Sequence, residues 1–331
     1  MSEKDIYPEG ALILAPLSGF TDLPYRRSAR RHGAFFAFAE MVDAASLAHT
    51  PKRGLALAER GPEEAFLGVQ LVGSDVEWLK RSCDELNERE FSLLDFNLGC
   101  PVAKVVKKGA GAALGRNIDE ALRCFEVLAE RSRFPVTAKL RILSSDDPVP
   151  TLRLAEGLAA LGARALTIHG RVLEDFYTGP VRADIISAVR EAVAPRGVQV
   201  VANGGVKDRE SCERLRKESG CSRIMLAQGA MGNPWLFAEL ADNAPPPTLE
   251  EWKQEVHTHV SEMVELYGES SALRQARKII HDYLKGRGFA SECRDRVSHL
   301  CAFDEFEKWL AGAAPVSSSV PRPFRINDRP E

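Results

Sequence analysis

The stretch Leu93–Leu114, LLDFNLGCPVAKVVKKGAGAAL, decides the fold. Leu93, Leu94 and Phe96 make a short apolar run that reads as a buried strand. Gly99 and Pro101 break that run, so Asn97 and Cys100 stand together where strand gives way to turn. The cations Lys104, Lys107 and Lys108 follow, and then Gly109-Ala110-Gly111, a sequence that permits close backbone approach. A lone cysteine is commonly a small buried hydrophobe. An amide, a thiol and a basic, glycine-rich loop at one strand end read instead as a site.

Seven further runs of the same kind flank this strand: Ala11–Leu17, Ala34–Met41, Ala65–Val72, Val136–Ile142, Ala165–His169, Val198–Ala202 and Arg223–Ala227. Amphipathic segments separate them, among them Asp75–Arg89, Ile118–Arg131, Thr151–Leu161 and Ala183–Val193. Strands alternating with helices predict parallel βαβ units. Eight units over roughly 230 residues predict an α/β fold, a (β/α)8 TIM barrel. The rival, an open doubly wound sheet, lacks its signature, because no GxGxxG follows the first strand. After residue 242 the triple proline of NAPPPT, residues 243–248, reads as a stiff spacer. The pattern from 249 to about 312 is that of a small C-terminal helical domain. Residues 313–331, rich in Ser, Pro and Arg, are expected to be disordered or draped over the surface.

Composition narrows the class. The 331 residues are 44% hydrophobic and 27% charged, which is ordinary for a globular protein, and no apolar run reaches the ~20 residues of a membrane span. The N-terminal MSEKDIYPEG lacks the order of a secretion signal. Seven scattered cysteines without a CxxC pair predict a reducing, cytoplasmic setting, with neither a disulfide framework nor a metal site. The net charge of -3 demands no polyanionic partner, so any nucleic-acid binding must come from local basic patches.

In such barrels the C-terminal strand ends carry the chemistry. Strand one delivers the small-residue turn Ala15–Asp22, with Thr21 or Asp22 placed to cap the following helix. That turn serves equally as a platform for a flat ligand or as a plain strand-to-helix connection. Strand three delivers Gln70, an amide in an apolar run that must find a hydrogen bond. Strand five, VTAKLRI, puts Lys139 and Arg141 on one face by period two, where buried cations call for an anion. Strand six ends at His169, followed by Arg171 and the pair Phe176-Tyr177. Strands seven and eight end in the glycine-rich turns Asn203-Gly204-Gly205 and Ala227-Gln228-Gly229, the usual place for a phosphate-bearing cofactor in this fold. No Walker sequence suggests triphosphate hydrolysis.

Taken together, APLSGFTD, Gln70, DFNLGCP, AKLR, IHGR, NGG and GAMGNPW resemble the tRNA-dihydrouridine synthase family, and within it the bacterial B-type branch. The similarity runs unbroken from about residue 10 to residue 290. It implies a barrel holding FMN, a helical domain that binds tRNA, NADPH as reductant, and reduction of the 5,6 double bond of particular uridines. Pro16, Leu17, Ser18, Gln70, Lys139, His169, Asn203, Gly204, Gly205, Ala227 and Gln228 would then form the flavin shell. Cys100 would be the proton donor and Asn97 a uridine-contacting amide, with Arg141 and Arg171 also on the substrate side. The residue types suit that chemistry: a thiol of ordinary pKa about 8.5 is protonated at neutral pH and can still give up its proton. One position departs from the pattern, for the family commonly has Gly-Arg where this chain has Ala227-Gln228.

The basic face of ALRQARKIIHDYLKG suits RNA. Arg274, Arg277, Lys278, His281 and Lys285 share one helix face, opposite Ala276, Ile279, Ile280 and Tyr283. Residues 273–296 hold seven Lys/Arg against three Asp/Glu, whereas residues 250–269 hold one against six. That local excess is a candidate phosphate-contacting stripe, alongside the bland reading of a solvated face. Two alternatives stay open: a flavin oxidoreductase acting on a free pyrimidine, and a flavin-less RNA-binding homologue.

Overall fold

The computed structural model describes residues 5–56 and 58–316. Eight parallel strands close a barrel in chain order: β1 (Leu12–Leu14), β2 (Phe36–Asp43), β3 (Gly68–Val72), β4 (Leu93–Leu98), β5 (Val136–Arg141), β6 (Ala165–His169), β7 (Gln199–Asn203) and β8 (Ile224–Leu226). The helices Ile118–Arg131 and Ala183–Val193 have the expected bounds, while the one expected at Thr151 starts at Val149, just after Pro148. β1 and β8 are shorter than their apolar runs, because Ala15–Leu17 and Ala227 already belong to the loops. β2 runs two residues past Met41 to Asp43, whose carboxylate then caps the next helix by accepting the Ser46 N–H at 2.9 Å.

Alternation along the strands sorts the side chains. Leu94, Phe96, Leu98, Ala138, Leu140, Leu166 and Ile168, on one set of positions, are all buried apolar residues. The other set changes character along the barrel. At the N-terminal end, Tyr7, Ile13, Phe38, Phe66, Leu93 and Ala165 form an apolar plug. Above it the register lays down polar rows: Gln70–Asp95–Thr137, then Asn97–Lys139–Thr167, then Arg141–His169–Asn203. A sealed apolar base therefore carries a polar rim.

Compactness divides the chain differently from the proline-rich linker. Among the described residues, 5–23, 35–206 and 210–227 form one unit; 24–34, 207–209 and 228–316 form the other. The helix Leu23–Arg31 supplies the reason. Its Tyr25 hydroxyl donates to the Ala230 carbonyl at 2.8 Å, Ser28 pairs with the Tyr283 hydroxyl at 2.9 Å, and Arg31 binds Glu255 at 2.7 Å. Such long-range bonds tie residues early in the chain to the helices Leu249–Tyr267 and Glu269–Leu284. Thr248 ends the linker by capping the first of these, accepting the Glu251 N–H while Glu251 accepts the Thr248 N–H. Of the expected tail, Val316 bonds the Gly288 carbonyl at 3.0 Å and Pro315 pairs antiparallel with Phe289; residues 317–331 lie outside the described residues. No helix among the described residues is long and apolar enough to cross a membrane.

Candidate active site

At the end of β4 the chain builds its turn from one side chain. Asn97 Oδ1 accepts the N–H groups of Gly99 at 3.1 Å and Cys100 at 2.9 Å, an Asx turn that fixes the cysteine backbone. The basic loop then returns to the same place, with Ala112 N–H donating to the Cys100 carbonyl at 3.1 Å. Gly111, at φ +61°, makes that return possible, since a Cβ there would lie 2.8 Å from the Cys100 carbonyl oxygen. Cys100 is half-buried.

Behind the turn the polar rows are wired together. Asn97 Nδ2 donates to Gln70 Oε1 at 2.7 Å and to the Met41 thioether at 3.3 Å. Gln70 Nε2 donates to Asp95 at 2.7 Å, and Thr137 Oγ1 donates to the other oxygen of Asp95 at 2.6 Å. In the neighbouring row Lys139 Nζ donates to Asn203 Oδ1 at 2.8 Å, and Asn203 Nδ2 to the Met225 carbonyl at 2.8 Å. Arg141 braces the rim, donating to the carbonyls of Gly99 at 2.9 Å and Val172 at 3.0 Å, with its guanidinium 5.5 Å from the Tyr177 ring centre. Arg171 donates to the Gly179 carbonyl at 3.0 Å and lies 3.4 Å from His169 Nε2. Beside that imidazole runs the turn after β7. Gly204, at φ +124°, would carry a Cβ only 2.8 Å from His169 Cδ2. At β1, Leu17 anchors the platform of Pro16, Leu17 and Ser18: its N–H donates to Thr21 Oγ1 at 2.9 Å, and its carbonyl accepts Phe20 N–H at 2.9 Å. Ala227 ends the barrel unit, and Gln228 opens a 3-10 turn closed by Met231 N–H on its carbonyl at 3.2 Å.

Burial disturbs the protons of nearly every member. Desolvation pulls Lys139 down to about 8, helped by Arg141 and opposed by Asp95 and Cys100. Desolvation lifts Asp95 to about 6 against its hydrogen bonds from Gln70 and Thr137. His169 falls well below the ordinary imidazole range, first through burial and then through Lys139, Arg141 and Arg171, so it is neutral. Burial pushes the Cys100 thiol up, while the Val102 N–H, Arg141 and Lys139 pull the other way. The site thus holds a protonated thiol near a cation that can lose its proton.

Two members escaped the sequence reading, Asp95 and Thr137. The signal for Asp95 was present: an acid in LLDFNL, a strand buried at every position. Nothing in the sequence singled out Thr137.

The basic helix is partly occupied. Ala276, Ile279, Ile280 and Tyr283 are buried as the pattern required. On the other face, Arg277 donates twice to the Leu300 carbonyl, at 2.8 and 3.0 Å, and His281 meets Ser298 at 3.1 Å. Lys285 is paired with Asp282. Arg274 is exposed and bonded only weakly, to Ser270 and Ser271 at 3.3 and 3.4 Å, and Lys278 is also exposed. In the loop after Cys100, Lys108 is taken by Asp43 at 2.8 Å, whereas Lys104 and Lys107 stand exposed.

A closed eight-stranded barrel with a thiol, a buried lysine and a neutral imidazole gathered toward its C-terminal strand ends has the make-up of a barrel enzyme. The sequence profile of the dihydrouridine synthase family matches residues 13–317, and the chain belongs to that family of flavin-dependent enzymes. It is similar to a probable tRNA-dihydrouridine synthase of Rhodobacter capsulatus, with 35% identity covering 81% of this chain and 84% of that one. A probable tRNA-dihydrouridine synthase of Rhizobium leguminosarum is 32% identical, covering 83% and 85%. The tRNA-dihydrouridine synthase B of Pseudomonas aeruginosa is 33% identical, covering 87% and 88%.

Proposed function

We propose that this protein reduces the 5,6 double bond of uridines in tRNA to dihydrouridine, with FMN as its flavin and NADPH as the reductant, in the cytoplasm. The observation that carries this reading is a protonated, half-buried Cys100 at the end of β4 with the buried Lys139 on β5 close enough for its charge to favour the thiolate. The residues fit a flavin. Lys139 spends its hydrogen bond on a neutral amide, Asn203, so its charge is left for a ligand. The Gly204 turn presents bare backbone where a side chain would collide with His169.

Pro16, Leu17, Ser18, Gln70, Lys139, His169, Asn203, Gly204, Gly205, Ala227 and Gln228 would hold the flavin. When bound, it supplies the hydride that reaches C6 of uracil. Lys139 would offer the flavin a positive charge, whereas His169 is neutral and can only donate or accept a hydrogen bond. Cys100 keeps a proton at Sγ for C5 of the base. The thiolate left behind is stabilised by the Val102 N–H and by the fields of Arg141 and Lys139. Asn97 can reach a uridine carbonyl by giving up its bond to Met41, the weakest it makes, because a thioether is a poor acceptor. Arg141 and Arg171 line the substrate side, and Arg274, Arg277, Lys278 and His281 meet the RNA backbone. Arg277 is held in place by the Leu300 carbonyl, while Arg274 is exposed and only weakly bonded.

The test is dihydrouridine formation in tRNA from a strain lacking the enzyme, given protein, FMN and NADPH, and read by mass spectrometry. Cys100→Ala should keep its flavin spectrum and lose roughly 10²–10⁴-fold in uridine reduction. Unmodified tRNA alongside reduction of free uracil or oxidation of dihydroorotate would overturn the tRNA assignment.

A further inference from the structure

The hydrogen bonds behind Cys100 all run one way. The Gly99 and Cys100 N–H groups donate to Asn97, Asn97 donates to Gln70, and Gln70 donates to Asp95. An amide has a donor end and an acceptor end of nearly equal size, so neither Asn97 nor Gln70 can set its own orientation. An ionised carboxylate only accepts. Asp95 is 2% exposed, and its second oxygen is occupied by Thr137. The relay is thus pinned at both ends, by backbone N–H groups that can only donate and by a carboxylate that only accepts.

We propose that Asp95 is a positioning residue for Cys100: as the acceptor that ends the relay, it holds the Gln70 and Asn97 amides in the orientation that the Gly99 and Cys100 N–H groups require, and so holds the turn that aims the thiol. Were position 95 to offer no acceptor, the buried NH2 of Gln70 would be left unpaired and Gln70 would turn or leave its place. Asn97 would then lose the partner that holds its NH2 end, and the turn would loosen. The proposal rests on the reading of Cys100 as the proton donor.

Asp95→Leu removes the acceptor at nearly constant size. Asp95→Asn together with Gln70→Glu instead moves the acceptor-only group one place along the relay. There the carboxylate takes one hydrogen bond from the new amide at position 95 and one from Asn97, and the Asn97 orientation is restored. Two readouts apply: alkylation of Cys100 by iodoacetamide, resolved by peptide mass spectrometry, and single-turnover reduction of tRNA by dithionite-reduced enzyme. In Asp95→Leu, alkylation should accelerate about 5-fold as the thiol loses its fixed, half-buried place. Single turnover, measured per bound flavin, should slow by about 10- to 100-fold from misplacement of the acid. In the double variant the alkylation rate should return to within about two-fold of the wild type, which a role in packing alone would not produce.

Wild-type alkylation and turnover in Asp95→Leu would overturn the proposal, as would a folded double variant that stays fast. If Asp95→Leu does not fold, the double variant decides by the same alkylation measurement. Failure of the underlying reading shows separately, as Cys100→Ser reducing tRNA at the wild-type rate, and leaves the alkylation comparison to judge the relay.

Discussion

Two buried charge clusters in this molecule are built on opposite principles. In the helical unit, Glu255 receives Arg31 at 2.7 and 3.1 Å and His32 at 3.0 Å. Those partners outweigh its burial and hold its carboxyl down at about 2. At the barrel mouth the balance goes the other way: burial wins at Lys139, Asp95 and His169, and each is pushed toward its neutral form. The first cluster is complete and serves the fold. The second is short of opposite charge, which suits the proposed binding of an anionic ligand.

The sharpest way to break this comparison is to remove one charge from each cluster. Glu255→Gln strands Arg31 beside Glu262 alone. The loss should be about 3 kcal/mol from the shift between 4.5 and about 2, reduced somewhat because Arg31 is a third exposed. Urea unfolding at pH 7 should show it as a lower midpoint with an unchanged slope. The pH dependence has a defined sign. A depressed carboxyl contributes stability above pH 4.5, and that contribution disappears as pH falls through about 2, so the wild type should lose this increment across that window and the variant should not.

Lys139→Met should do the reverse. In the free protein it removes a cation that burial already penalises, so the unfolding midpoint should hold or rise. Flavin binding should weaken by roughly ten-fold through loss of a charge-assisted contact. The wild type carries the same signature in its pH dependence. The folded lysine gives up its proton near pH 8 and the unfolded one near 10.5, so the penalty is full below 8 and is relieved as pH climbs between them. FMN affinity, followed by fluorescence quenching, should therefore fall as pH passes about 8 in the wild type and stay level in Lys139→Met. A fall of equal size in both would remove Lys139 from the flavin's surroundings.

The two clusters were not equally legible. The barrel could be read because eight apolar runs carry their own period, and because Gly99, Pro101 and the Asn203-Gly204-Gly205 turn mark the strand ends. Asn97, Cys100, Lys139 and His169 followed from those ends. Asp95 and Thr137 did not, because a buried acceptor gains meaning only once register places Gln70 and Thr137 on either side of it. The Arg31–Glu255 cluster was invisible for a related reason. It joins residues 224 positions apart, and nothing in the local pattern of Leu23–Arg31 says that the helix belongs with residues beyond 228. Local periodicity reports which face of an element is buried, and distance along the chain hides what it is buried against.

The smallest effect sharpens the idea of a mouth short of charge. Where the family pattern has arginine this chain has Gln228, half-exposed at the start of its 3-10 turn. A neutral hydrogen bond contributes about 0.5–1.5 kcal/mol and one to a charged group about 1.5–3, so Gln228→Arg should tighten FMN binding by about ten-fold. The gain should shrink at high salt, as the attraction between an exposed guanidinium and a phosphate is screened. Riboflavin, which has the same ring system and no phosphate, is the control: its affinity should not change. Equal gains for FMN and riboflavin would place residue 228 against the ring. No gain for either would mean that the phosphate is held elsewhere, with Arg171, bonded to the Gly179 carbonyl close to the Gly205 turn, as the next cation to remove.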